Sequence, residues 1–121
     1  GNNSSAGKAY VYLGGQVACV PPYEEIDIYQ VSRSTDGNNY AILHFMDANQ
    51  ATQVTGYNVY RSNHPAVPHG SWPMVASNVI DMDEATPNTQ WVDSSGGPSP
   101  GTAWFYEVAA FNNACGTEGP W

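Results

Sequence analysis

Twelve glycines and nine prolines punctuate the 121 residues, and the segments between them are short. No stretch of about 12 residues carries apolar side chains at helical spacing. Alternation with a period of two recurs instead, built from Tyr, Val, Ile and Trp. A strand turns successive side chains to opposite faces, so this period predicts strands half buried against a common core. Ala103–Phe111 shows it best: Trp104, Tyr106, Val108 and Ala110 share one side, while Phe105, Glu107, Ala109 and Phe111 share the other. Further strands are expected over Ile26–Val31, Tyr40–Met46, Thr55–Ser62, Trp72–Ala76 and Thr89–Asp93. Thr35–Asn39 gathers Asp, Asn and Gly, residues that tolerate left-handed backbone, and is expected to be a turn. Several short strands at this spacing imply an all-β sandwich or barrel, and the length suits one domain.

The surface of such a domain is unusual in its chemistry. Charged residues make up 12% of the chain, about half the customary share. Asn, Ser, Thr, Gln and Gly supply the polar surface, a composition expected of an extracellular or cell-surface protein. Lys8, Arg33 and Arg61 stand against 11 acidic residues, for a net charge of −8. A phosphate backbone or an anionic bilayer needs a cationic footprint, so neither nucleic acid nor membrane is an expected partner. No run of 18 or more apolar residues is present to span a bilayer. Asn2-Asn3-Ser4-Ser5 contains two overlapping glycosylation triplets within a polar N-terminal tail.

Two cysteines, Cys19 and Cys115, lie near opposite ends of the chain, and no CxxC or Cys/His spacing accompanies them. In an exported protein they are expected to form a disulfide, either within one chain or between two. Cys19 belongs to a segment that precedes the other strands. Lys8–Leu13 is a strand candidate interrupted by Gly14-Gly15, and Gln16–Val20 is expected to continue it past a turn or bulge before Pro21-Pro22 ends the run.

One set of residues carries a family resemblance. Gly56-Tyr57-Asn58-Val59-Tyr60-Arg61-Ser62 is followed by Trp72 with Val75-Ala76, by Trp91-Val92-Asp93, and by Gly101-Thr102-Ala103-Trp104-Phe105-Tyr106-Glu107-Val108-Ala109-Ala110-Phe111-Asn112 with a trailing Gly116. In order and spacing these resemble a fibronectin type III module of secreted bacterial and archaeal proteins. The resemblance implies an immunoglobulin-like β-sandwich over residues 25–121, preceded by a tail and an extra strand over residues 1–24. Phe45 stands where the family's second strand typically has Trp, and Trp104 where it has a corner tyrosine. A seventh strand is also expected beyond Asn112–Gly119, where the chain ends. The Lys8–Val20 segment is therefore expected to lie beside the strand containing Val108. Either it covers the gap in its own chain, or a neighbouring subunit supplies a strand to that open edge, as in donor-strand pili.

Catalytic constellations are not expected. His44 alternates with Leu43 and Phe45 and should point to solvent, and His64 and His69 share a proline-rich loop without metal-ligand spacing. Asp81-Met82-Asp83-Glu84, with Asp93 as a distant helper, is a calcium candidate, although the EF-hand template requires Gly at Thr86 and Glu at Val92. No cofactor is implied. Four Trp and eight Tyr exceed the needs of one small core, and Tyr10, Tyr12, Tyr23, Tyr29, Tyr60, Trp72 and Trp121 are candidates for exposure. Of these, Tyr10, Tyr12, Trp72 and Trp121 are the candidate interface or sugar-stacking residues. The expectation is a non-catalytic extracellular module that mediates protein–protein contact, including as a subunit of a surface filament or pilus. The alternative is a carbohydrate-binding accessory module that uses exposed aromatics.

Overall fold

The computed structural model describes residues 12, 13, 16, 17, 19–80 and 88–121. Among the described residues nine strands run in the order β1 (Tyr12–Leu13), β2 (Gln16–Val17), β3 (Asp27–Arg33), β4 (Ala41–Met46), β5 (Gly56–Ser62), β6 (Met74–Val79), β7 (Asn88–Asp93), β8 (Phe105–Asn112) and β9 (Thr117–Glu118). Single turns of 3-10 helix occur at Ala51–Gln53 and His69–Ser71. Three antiparallel sheets result: the small pair β1-β2, a three-stranded sheet β3-β4-β7 and a four-stranded sheet β6-β5-β8-β9.

The two larger sheets face one another as a β-sandwich, as the alternation predicts. Leu43 and Phe45 of β4 meet Tyr57 and Val59 of β5 and Val108 and Ala110 of β8 in one buried cluster, with Ile26 at its margin. Phe45, in the position of the expected tryptophan, is fully buried and presents its edge to Tyr57 at 5.1 Å between ring centres. That geometry suits two aromatic quadrupoles better than a face-to-face sandwich. Tyr106 and Trp91 pack against the same cluster, so β8 divides its faces as the sequence indicates. The β3–β4 turn takes left-handed backbone at Gly37 (φ 90°) and Asn39 (φ 59°). Asp36 secures it by accepting from the Ser34 hydroxyl and the Asn38 amide, at 3.0 Å each.

The expected N-terminal arrangement needs correction. β1 and β2 pair antiparallel, with Tyr12 opposite Val17 and Leu13 opposite Gln16, as the turn alternative of the expectation has it, and neither joins β8. Among the described residues, β8 has β5 on one side and the chain's own β9 on the other. The seventh sandwich strand thus begins within the chain, where Phe111 pairs with Glu118 and Asn112 with Thr117. The reversal is tight because Gly116 adopts φ 62° and Asn112 Oδ1 accepts the Ala114 amide at 3.0 Å. After the Gly119 amide bonds Ala110 O at 2.7 Å, Pro120 has no N–H to extend the ladder. Residues 8–11 lie outside the described residues.

Cys19 and Cys115 are joined within the chain, which decides between the two pairings. The bond ties the entering segment to the β8–β9 turn, and polar side chains hold the same seam. Asn112 Nδ2 donates to Val20 O at 3.1 Å, and Gln53 Nε2 donates to Pro21 O at 3.0 Å. Gly119 passes so near Pro22 that an added Cβ would stand 3.1 Å from the proline ring.

Candidate functional site

The two outer faces of the sandwich differ in what covers them. On the four-stranded sheet, Tyr60 of β5 and Ala109 of β8 form a second buried cluster with Trp72, joined by Val67 and Trp121. The loop between β5 and β6 brings Trp72 over the sheet, and Trp72 Nε1 donates to Val67 O at 2.8 Å. The end of the chain closes the other side. The Trp121 ring stacks on Tyr60 at 4.0 Å and on His69 at 5.0 Å. Of the stacking candidates, Trp72 is therefore a core residue, 7% exposed, and Trp121 is half buried with Tyr60 and His69 against its ring. Tyr60 is also buried, contrary to the expected exposure. Its burial is not apparent in the sequence because the rings that cover it come from a loop and from Trp121. Tyr10 lies outside the described residues. Tyr12 lies in β1, and its side chain is likewise outside them.

Glu118 is the polar centre of this covered face. Its Oε2 accepts from the Tyr60 hydroxyl and, at 2.8 Å, from Asn58 Nδ2, while its Oε1 accepts from Trp121 Nε1 at 2.8 Å. Burial opposes its ionisation, but the donated hydrogen bonds outweigh burial and hold its pKa below the ordinary value. Burial, and then the neighbouring carboxylate, push the Tyr60 hydroxyl upward, so it stays a donor.

Asp93, the distant calcium candidate, is also committed. It is 2% exposed on the inner face of β7. Arg61 Nη1 reaches its Oδ2 at 2.6 Å, and the Tyr106 hydroxyl donates to the same oxygen at 2.6 Å. Ser95 donates from both its hydroxyl and its amide to Oδ1. Burial raises the Asp93 pKa, yet the bonds from Ser95, Tyr106 and Arg61 together lower it below the ordinary value. The carboxylate thus has its charge balanced by an arginine and no oxygen left open to a cation. Arg61 in turn lies over the Trp104 ring, 3.6 Å from its centre, so the indole supports the guanidinium. Asp81 and Asp83 lie outside the described residues. Among the described residues no group of three or more His, Cys, Asp or Glu side chains comes together. No helix there is long and apolar enough to cross a membrane.

The outer face of the three-stranded sheet carries a different surface. Leu43 and Phe45 point inward, which turns Ile42, His44 and Met46 outward. Val92 lies opposite Ile42 and Gln90 opposite His44. A bulge between Ile28 and Gln30 adds Tyr29, whose ring lies 6.2 Å from that of His44. His44 is half buried, and its Nε2 shares a hydrogen bond of 2.8 Å with Ser32 Oγ. Tyr29, Met46 and Val92 remain 46%, 43% and 39% exposed. The result is a stripe of Tyr, Ile, Met and Val edged by Ser, Gln and His, with the carboxylate of Asp27 beside Met46 at one end. Sequence reasoning did not single it out, although Ile42, Met46 and Val92 in the polar phase of their strands carry the signal.

No protein-family model matches the chain, and no curated protein or solved structure does.

Proposed function

We propose that the chain is an exported, non-catalytic β-sandwich of fibronectin type III character that binds a partner protein through the outer face of its three-stranded sheet. The outward stripe of exposed Tyr29, Met46 and Val92, with half-buried Ile42 among them, carries this reading. Interface centres are poor in charge and rich in Tyr, Met and other apolar groups, and this stripe has that composition on a chain of net charge −8. The covered opposite face strengthens the contrast, since there the chain supplies its own Trp72 and Trp121. The family reading is supported by seven antiparallel strands split three and four, with the β4–β5, β6–β7 and β7–β8 connections crossing between sheets. Export is supported by the disulfide. The intrachain bond and the chain's own β9 favour a self-contained module over a subunit completed by a donated strand.

Site-specific photocrosslinking tests the reading, with the probe at Val92 and a control probe at exposed Glu25, in the exported fraction of the source cells. A discrete adduct with another protein from Val92 alone is the expected result. An adduct at twice the chain's own mass would assign the face to a second copy and overturn a foreign partner. Equal adducts from both positions would remove the face from consideration.

A further inference from the structure

A cleft lies between the two sheets at one end of the sandwich. It occupies about 330 Å³ between the end of β3, the β3–β4 turn and the loop leading into β8. Val31, Arg33 and Ala41 line it from one sheet, Trp104 and Tyr106 from the other, and Tyr40 from the turn. Register explains the first of these. Val31 lies opposite the buried Leu43 and so belongs to the inward phase, yet it is 54% exposed because it faces open space. Arg33, opposite Ala41, shares that phase. Asn39 and Thr102 add an amide and a hydroxyl to the lining.

The charges single out what such a cleft takes. Among the described residues the cations are Arg33 and Arg61, and Arg61 is spent on Asp93. Arg33 is exposed and makes no ion pair. On a chain of net charge −8, an unneutralised guanidinium beside aromatic rings is a local exception. A guanidinium fork pairs with a carboxylate through two parallel hydrogen bonds. Aromatic faces attract the positively polarised C–H groups of a saturated ring. Polar groups at the rim can meet hydroxyls. An apolar wall with few polar groups and a volume of this order is typical of small-ligand sites.

We infer that this cleft binds a carboxylate-bearing sugar, a uronic acid residue, whose ring lies against Trp104 and Tyr40 and whose carboxylate pairs with Arg33. The site is separate from the protein-contact face, and neither depends on the other. A peptide C-terminus would offer the same carboxylate, but the aromatic side chains in the lining favour a saturated ring.

The test is an NMR titration of the full chain with methyl glucuronide, alongside methyl glucoside and acetyl-alanyl-alanine. Methyl glucuronide should shift the Trp104 indole and the Gly96 and Gly97 amides, and saturate with a Kd on the order of 1 mM. The neutral glucoside should bind roughly tenfold more weakly, the difference one charge-assisted pair makes. Arg33→Gln should erase that difference while leaving the strand amides unmoved, since Arg33 is exposed. Tyr40→Ala should weaken both sugars alike. The assignment is overturned by glucuronide shifts absent from the cleft, by equal affinity for the two sugars, or by a peptide that binds as tightly as the glucuronide.

Discussion

Asp93 remains ionised with almost none of its surface in water because four donated hydrogen bonds and the Arg61 charge replace the lost hydration. The cost of disturbing it follows from what would be left behind. Asp93→Asn keeps the shape but removes the charge that balances Arg61, whose side chain is only 20% exposed. The expected loss is about 3 kcal/mol, in the range for breaking a buried pair. Glu118, on the outer face of the other sheet, is likewise held by donated hydrogen bonds, from Asn58, Tyr60 and Trp121. Both carboxylates are held below their ordinary values in the folded chain, so in mildly acidic solution the unfolded chain binds more protons. Their contribution to stability is therefore full above the ordinary carboxylate range and is lost as pH falls through the folded values. Urea unfolding at about pH 7, 5 and 3 should show a plateau and then a decline, and Asp93→Asn should make the decline shallower. A wild-type midpoint unchanged at about pH 3 would contradict the assignment.

At the scale of elements, legibility depended on how much chain each one had in which to declare a period. β4 and β8 are long enough for alternation to separate Leu43 from His44, or Val108 from Glu107, and their faces were readable without coordinates. β9 spans two residues between a left-handed glycine and a proline, too short for any period to register. Its presence could have been read only from the turn residues Asn112 to Gly116. β6 was recognised at Met74–Ala76 but not through Ser77-Asn78-Val79, where a polar, exposed stretch hides the ladder. The second cluster was illegible for another reason: Tyr60, Trp72 and Trp121 come from a strand, a loop and the chain end, and no local pattern links them. The cluster nonetheless has an energetic consequence that can be checked. Trp121→Ala removes the ring that stacks on Tyr60 and His69 and the indole donor to Glu118. A half-buried tryptophan should cost about 2 kcal/mol, below the range for a fully buried one. The loss should be local, with faster hydrogen exchange at Gly119 and Glu118 while the Val108 and Val59 amides keep their protection. Uniform acceleration across both sheets would show instead that the outer cluster and the sandwich core unfold together.

For the whole molecule, the decisive link is the one that joins its two ends. The entering segment belongs to no sheet of the sandwich between Cys19 and Glu25, and it is held by side chains and one covalent bond. Asn49 Oδ1 accepts the amides of Tyr23 and Glu24, at 2.9 Å each, which sets the direction in which the chain enters β3. The disulfide closes 96 positions of sequence and therefore restricts nearly the whole unfolded chain. In the chain-entropy picture a loop of that size contributes on the order of 4 kcal/mol, most of it by lowering the entropy of the unfolded state. Because the contribution acts on the unfolded state, the folded surfaces should be indifferent to it. The double variant Cys19→Ser/Cys115→Ser should lose about 2–5 kcal/mol in denaturant unfolding while keeping the wild type's mass in light scattering. Below its lowered midpoint it should still give the Val92 adduct and still bind methyl glucuronide. A loss under about 1 kcal/mol would mean that the hydrogen bonds of Asn112, Gln53 and Asn49 hold the seam unaided. A larger mass than the wild type's would mean that the bond shields an edge that otherwise recruits a further chain.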